Sequence, residues 1–174
     1  MGRVLIVVDM QRDFIDMALG TPEAQNIVKD VADFIKSFDI EKDTIVCTKD
    51  THFDSTYFKC QEGQKLPIPH CIFGTEGWTF ANEITEALSY YNPAIIYKQT
   101  FGYKNWPELH YDDAEEIILC GLCTDICVMA NAVILKTLYP EIPVVVMKDL
   151  CAGTTEKKHQ EALDIMKSLQ IEVR

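Results

Sequence analysis

Residues 115–139 read EEIILCGLCTDICVMANAVILKTLY, and the way this stretch divides decides the fold. EEIILC (115–120) has the length and β-branched content of a buried strand. TDICVMANAVILKTLY (124–139) is long enough for a largely apolar helix, its start marked by Thr124 and Asp125. The same alternation recurs on both sides. Upstream lie a strand VLIVV (4–8), a helical stretch PEAQNIVKDVADFIKSF (22–38), a strand TIVCT (44–48), a helix FANEITEALSYY (80–91) and a strand AIIYK (94–98). Downstream, PVVVM (143–147), TTEKKHQEALDIMKSL (154–169) and a closing IEV repeat it. Apolar strands alternating with helices predict an α/β fold: a three-layer α/β/α sandwich around a mostly parallel sheet of about six strands, covered on both faces. No repeat or linker interrupts the pattern, so 1–174 reads as a single domain large enough to bury a core.

Charge and cysteine content exclude several functions. A net charge of −11 argues against nucleic acid, which needs a basic face, and disfavours an anionic membrane. The apolar run VLIVV is too short for a signal-peptide core or a membrane span. Seven cysteines without a secretory signal point to the reducing cytoplasm, where thiols serve packing, metal binding or catalysis.

Parallel sheets bind ligands beyond the carboxyl ends of their strands. The groups just past those ends are Asp9, Asp50 with His52, Lys98, and the cysteine segment. Cys127 falls in the first turn of its helix, where unpaired N–H groups lower a thiol's pKa and can hold an oxyanion. A small buried core residue is the commoner fate of a free cysteine, and both readings stand on position alone. Cys120, at the strand end, reads as core. The CxxxC spacing of Cys123 and Cys127 is neither the CxxC redox pattern nor a zinc cluster. Asp50 and His52, two apart in an extended segment, can face one point, and His70 can return to it after a loop. Two histidines and a carboxylate suit an open catalytic metal site, although a bare D-x-H more often marks ordinary loop residues.

IVVDMQRDF (6–14), YKQTFG (97–102) and CGLCTDICV (120–128) together resemble the isochorismatase-like cysteine hydrolases, which include nicotinamidases. The resemblance runs from the first strand to KDLCAG (148–153). It implies a catalytic triad of Asp9, Lys98 and Cys127; the helix-start position of Cys127 adds a thiolate already populated at mildly acidic pH. It also implies a non-proline cis peptide at Leu122–Cys123, with the N–H groups of Cys123 and Cys127 as the oxyanion hole. D-x-H followed by P-x-PHC and GTxG is similar to the nicotinamidase metal site. That similarity implies a divalent transition metal on Asp50, His52 and His70, zinc ahead of iron or manganese. Phe14 and Tyr103 are the expected substrate walls, with Trp106 a substitute. Pro67 departs from the pattern, standing where nicotinamidases commonly carry an aromatic residue. Cys60 and Cys71 are expected to pack. The implied activity is hydrolysis of a small amide, nicotinamide first, by a homo-oligomer. The alternatives are another amide, a ureido compound, an isochorismate-like substrate, or a non-catalytic partner-binding domain.

Overall fold

The six apolar runs all form strands in the computed structural model, which describes residues 2–174. They are β1 (Val4–Val8), β2 (Thr44–Asp50), β3 (Ala94–Lys98), β4 (Ile117–Leu122), β5 (Val144–Ala152) and β6 (Glu172–Val173). The order across the sheet is β3-β2-β1-β4-β5-β6, and all five pairings are parallel. Because side chains alternate along a strand, each inner strand feeds two cores. Leu5, Val7, Cys47, Ile118 and Cys120 pack under α2 (Pro22–Lys36) and α4 (Asn82–Leu88). Val4, Ile6, Val8, Leu119 and Val146 pack under α5 (Met129–Leu138) and α6 (Glu156–Ser168). Every side chain of β1 is wholly buried, each worth about 1.5–3 kcal/mol of transfer free energy. A charged residue at Ile6 or Val7 would break the sheet at its centre.

Three strands run further than their apolar patterns, β4 by Gly121 and Leu122. β2 continues through Lys49 and Asp50, which pair with Tyr97 and Lys98. β5 continues to Ala152, because its register against β4 slips between Leu119 and Gly121 and pairing resumes at Cys151 and Ala152. Pairing thus carries polar residues beyond the apolar core, and those residues sit at the sheet's carboxyl edge. The region 51–77 adds a 3-10 turn (Tyr57–Lys59) and a short helix, α3 (Gln61–Lys65); another short helix, α1 (Arg12–Ile15), follows β1. These pieces are too short to leave a periodic signal.

From β1 the chain winds outward in both directions, to β2 and β3 on one side and to β4, β5 and β6 on the other. The crevice at this reversal lies between the ends of β1 and β4. Gly121 lines it with φ of +117°, and a side chain there would run into the Val8 carbonyl. Only glycine lets the two strand ends approach so closely. No helix among the described residues is long and apolar enough to cross a membrane.

Candidate active site

Four strand ends converge on one buried ammonium. Lys98, the last residue of β3, places its Nζ 2.6 Å from Asp9 Oδ2, 3.5 Å from Cys127 Sγ and 3.7 Å from Asp50 Oδ1. Asp9 follows β1 with φ of +46°, a left-handed conformation uncommon outside glycine. Its Oδ1 accepts the Thr48 hydroxyl at 2.7 Å, and the Lys98 contact to Oδ2 is ionic rather than an aligned hydrogen bond.

Cys127 sits on a turn unlike the one expected. Thr124–Val128 is a π-helical turn, closed by Val128 N–H donating five residues back to the Cys123 carbonyl at 3.1 Å, and α5 begins only at Met129. Such single turns frequently mark functional sites. The Leu122–Cys123 peptide is cis. Asp125 anchors the turn by accepting from the Thr154 N–H at 2.8 Å and the Thr154 hydroxyl at 2.7 Å.

Burial and neighbours split the ionisations here. Burial pushes the Cys127 thiol well above its usual value, the Asp9 charge adds to that, and Lys98 only partly offsets it. The resting group is therefore a thiol, not the thiolate that a first-turn position implies. Burial likewise raises Asp9, against the pull of Lys98. Asp50 moves the other way: burial opposes its charge, yet hydrogen bonds from His52 and His70 and the Lys98 ammonium hold it below the ordinary carboxylate range. Lys98 is raised despite its burial by the surrounding acids, so it stays charged. Two neighbouring carboxylates with opposite shifts are suited to different tasks, one to move protons and one to remain an anion.

Beside this group, Asp50, His52, His70 and a fourth residue, Glu62 of α3, each offer a ligand atom, all within 4.8 Å of one another. His52 Nε2 lies 3.0 Å and His70 Nε2 3.5 Å from Asp50 Oδ2; Glu62 reaches the two rings at 3.8 and 3.6 Å. The far nitrogen of His70, Nδ1, lies 2.9 Å from the Ile68 carbonyl and 3.1 Å from the Tyr57 hydroxyl, which fixes the ring and turns Nε2 inward. Burial works against a charged His70, but Asp50, Glu62 and Ile68 outweigh it and push its pKa to about 10. Two imidazole nitrogens and two carboxylates converge here, all buried but the half-buried Glu62, with His70 oriented by an outer carbonyl; the set fits a divalent transition metal. Glu62 escaped the sequence reading because Q-E-G-Q-K offers no spacing relation to His52 or His70. Only the fold of the 51–71 loop brings it in.

A cavity of about 540 Å³ opens over both groups. Its floor includes Asp50, His52, His70, Cys123 and Cys127, and its apolar walls include Phe14, Leu66, Phe101 and Ile126. The Phe14 ring stands 5.5 Å from that of His70, as expected for a wall residue. Tyr103 does not line the cavity. Its ring packs edge-on against Trp106 at 5.2 Å, and Trp106 is fully buried in the core beneath α5. Phe101, two residues closer to the end of β3, takes the place expected of Tyr103. Pro67 is exposed and outside the lining, and Leu66 occupies that side instead. Cys120 and Cys71 are buried as expected. Cys60 is exposed rather than packed: its Sγ caps α3, accepting from Gly63 N–H at 3.4 Å and donating to the Tyr57 carbonyl at 3.0 Å.

Comparison with known proteins adds an independent line of evidence. The isochorismatase-domain family model matches residues 3–174. An isochorismatase family protein of Bacillus subtilis is 26% identical, over 94% of this chain and 93% of that one. The crystal structure of the nicotinamidase PncA from Bacillus subtilis superposes with a TM-score of 0.84 at 25% identity, covering 99% of each chain. That of the pyrazinamidase of Pyrococcus horikoshii in complex with zinc gives 0.79 at 28% identity, over 99% of this chain and 98% of that one. With the family pattern filled from the first strand to the last, and the fold shared end to end, this chain belongs to the isochorismatase family of hydrolases.

Proposed function

We propose that the protein is a cysteine-dependent amidase that converts nicotinamide to nicotinate and ammonia. The observation that carries this reading is the buried ammonium of Lys98 in contact with Asp9, Cys127 and Asp50 at once, beside a largely apolar cavity. Asp9, with its raised pKa, takes the proton of Cys127 as sulfur attacks the carboxamide carbon. Lys98 balances the negative charge shared by sulfur and carboxylate. The N–H groups of Cys123 and Cys127 receive the oxyanion. Asp9 returns its proton to the departing nitrogen, which leaves as ammonia with a thioester on Cys127. A water molecule, deprotonated by Asp9, then attacks the thioester carbon; the acid departs and the thiol is restored.

Asp50, His52, Glu62 and His70 would hold the metal, zinc ahead of iron or manganese; it would act as a Lewis acid toward a ring nitrogen or water. Support comes from the donor set itself and from the zinc in the pyrazinamidase relative. A second reading, hydrolysis of another small amide or ureido compound, is favoured by one feature: the wall near residue 67 is the aliphatic Leu66. An ammonia-release screen of small amides, with and without added divalent metals, separates the two. Nicotinamide should be the best substrate, with C127A inactive on every compound. Efficient turnover of a non-aromatic amide alongside negligible nicotinamide turnover would overturn the substrate assignment.

A further inference from the structure

The turn that carries Cys127 and the loop that carries the Phe101 wall meet at one side chain, Asn131 in the first helical turn of α5. It is wholly buried, and its amide uses its full hydrogen-bonding capacity. Oδ1 accepts from the Tyr103 N–H at 2.8 Å and the Trp106 indole N–H at 2.9 Å. Nδ2 donates to the Cys127 carbonyl at 2.8 Å and the Phe101 carbonyl at 3.3 Å. Gly102 lets the loop close onto α5, since a side chain there would meet Ile134 and Ala130. Four partners from two chain segments thus converge on one amide, and one of them is the backbone of the nucleophile itself.

We infer that Asn131 is a positioning residue: its Nδ2 sets the placement of Cys127, while its Oδ1 braces the 103–106 loop. This rests on the reading of Cys127 as the nucleophile. The carbonyl of Cys127 lies where the π turn gives way to α-helix, and a side-chain donor fixes that junction in place. Sulfur must sit within reach of Lys98, Asp9 and the substrate carbon at once, and misplacement by an ångström is enough to cost about 10²-fold in rate. The donor half serves both segments, because Nδ2 holds the Phe101 carbonyl as well as that of Cys127.

Two variants separate these roles. Asn131→Asp keeps the acceptor bonds to Tyr103 and Trp106 and loses both donor bonds, whereas Asn131→Leu keeps the volume and loses all four. The measurements are thermal stability together with kcat and KM on the amide that the wild type deaminates best. Both variants should melt below wild type, because N131D buries a carboxylate against two carbonyl oxygens and N131L unpairs the Tyr103 and Trp106 donors. Both should lose about 10²-fold in kcat when assayed well below their melting temperatures. A kcat loss in protein that is still fully folded is the signature of positioning. N131D with kcat within about threefold of wild type would overturn the inference, whatever happens to N131L. If no amide is turned over, the readout is iodoacetamide labelling of Cys127 in mildly alkaline buffer, with C127A as the blank. The labelling rate should then change severalfold in N131D while that of exposed Cys60 does not, and an unchanged Cys127 rate would overturn it. Failure of the nucleophile reading is distinct, because C127A would then retain turnover.

Discussion

The two ends of the cavity floor are built from similar groups and behave oppositely. At one end burial pushes Asp9 and Cys127 up, which suits them to pass a proton between them. At the other, Asp50 is pinned as an anion by two imidazoles and an ammonium. Both carboxylates stand at the ends of neighbouring parallel strands, Asp9 just past β1 and Asp50 as the last residue of β2, and both touch Lys98. The difference comes from what else each can reach: Asp9 has one hydroxyl and one ammonium, whereas Asp50 has hydrogen-bonding rings from a loop. Rigid strand ends supply the proton-moving end, and the 51–71 loop supplies most of the ligand end. One fold edge thus sets a carboxylate with a raised pKa beside one held as an anion, both against the same ammonium.

The sharpest way to break this comparison is to remove one side of it. C127A should lower kcat by about 10⁴-fold or more, and D9N by about 10²–10⁴-fold, with metal content unchanged in both. C120A, in the core beneath α2, should leave kcat within about twofold, because deleting a buried atom there costs stability rather than chemistry. Metal loss in C127A, measured by elemental analysis, would show that the two ends are not separable.

Removing the ligand end should be graded. H70A and H52A should abolish metal retention, from about one ion per chain in the wild type, since one four-ligand site implies one ion. E62Q should weaken it by about 10–100-fold in competition with a chelator, as one replaced oxygen among four donors. D50A should damage both ends together because Asp50 also lies 3.7 Å from Lys98. An E62Q protein that binds metal as tightly as wild type would remove Glu62 from the site.

Acidity should distinguish the ends as well. The base must be ionised to accept the thiol proton, and its folded pKa is raised. Activity is therefore present above that raised value and is lost as pH falls through it. The acid limb of kcat/KM should lie above the ordinary carboxylate value of about 3.9. A limb at or below that value would mean that Asp9 is not the group titrating. Labelling of Cys127 at mildly acidic pH should be slow in the resting enzyme, because burial keeps the thiol protonated.

The smallest effect belongs to the walls. Leu66→Phe should lower KM for nicotinamide by up to about tenfold with kcat unchanged, the worth of one added aromatic contact. Pro67→Trp should do little, since residue 67 faces away from the cavity.

The amino-acid order alone determined the alternation of strands and helices, and hence the parallel sheet. β1 matches its apolar run end for end, because burial on both faces demands an unbroken apolar run there; β3 matches its run as well, although as an edge strand it is largely exposed. It also marked Asp9, Asp50, Lys98 and the cysteine turn, because strand ends in such sheets lie on one edge. Tertiary structure decided what local pattern does not encode. Glu62 joins the ligands through a loop fold of mixed short turns, and Tyr103 yields its expected place to Phe101 because Trp106 and Asn131 hold it against α5. The ionisation of Cys127 was likewise beyond local reading. Helix position suggested a lowered pKa, but burial beside a carboxylate reversed the sign. Desolvation and charge act through space, so their balance is set by neighbours that only the folded chain brings together.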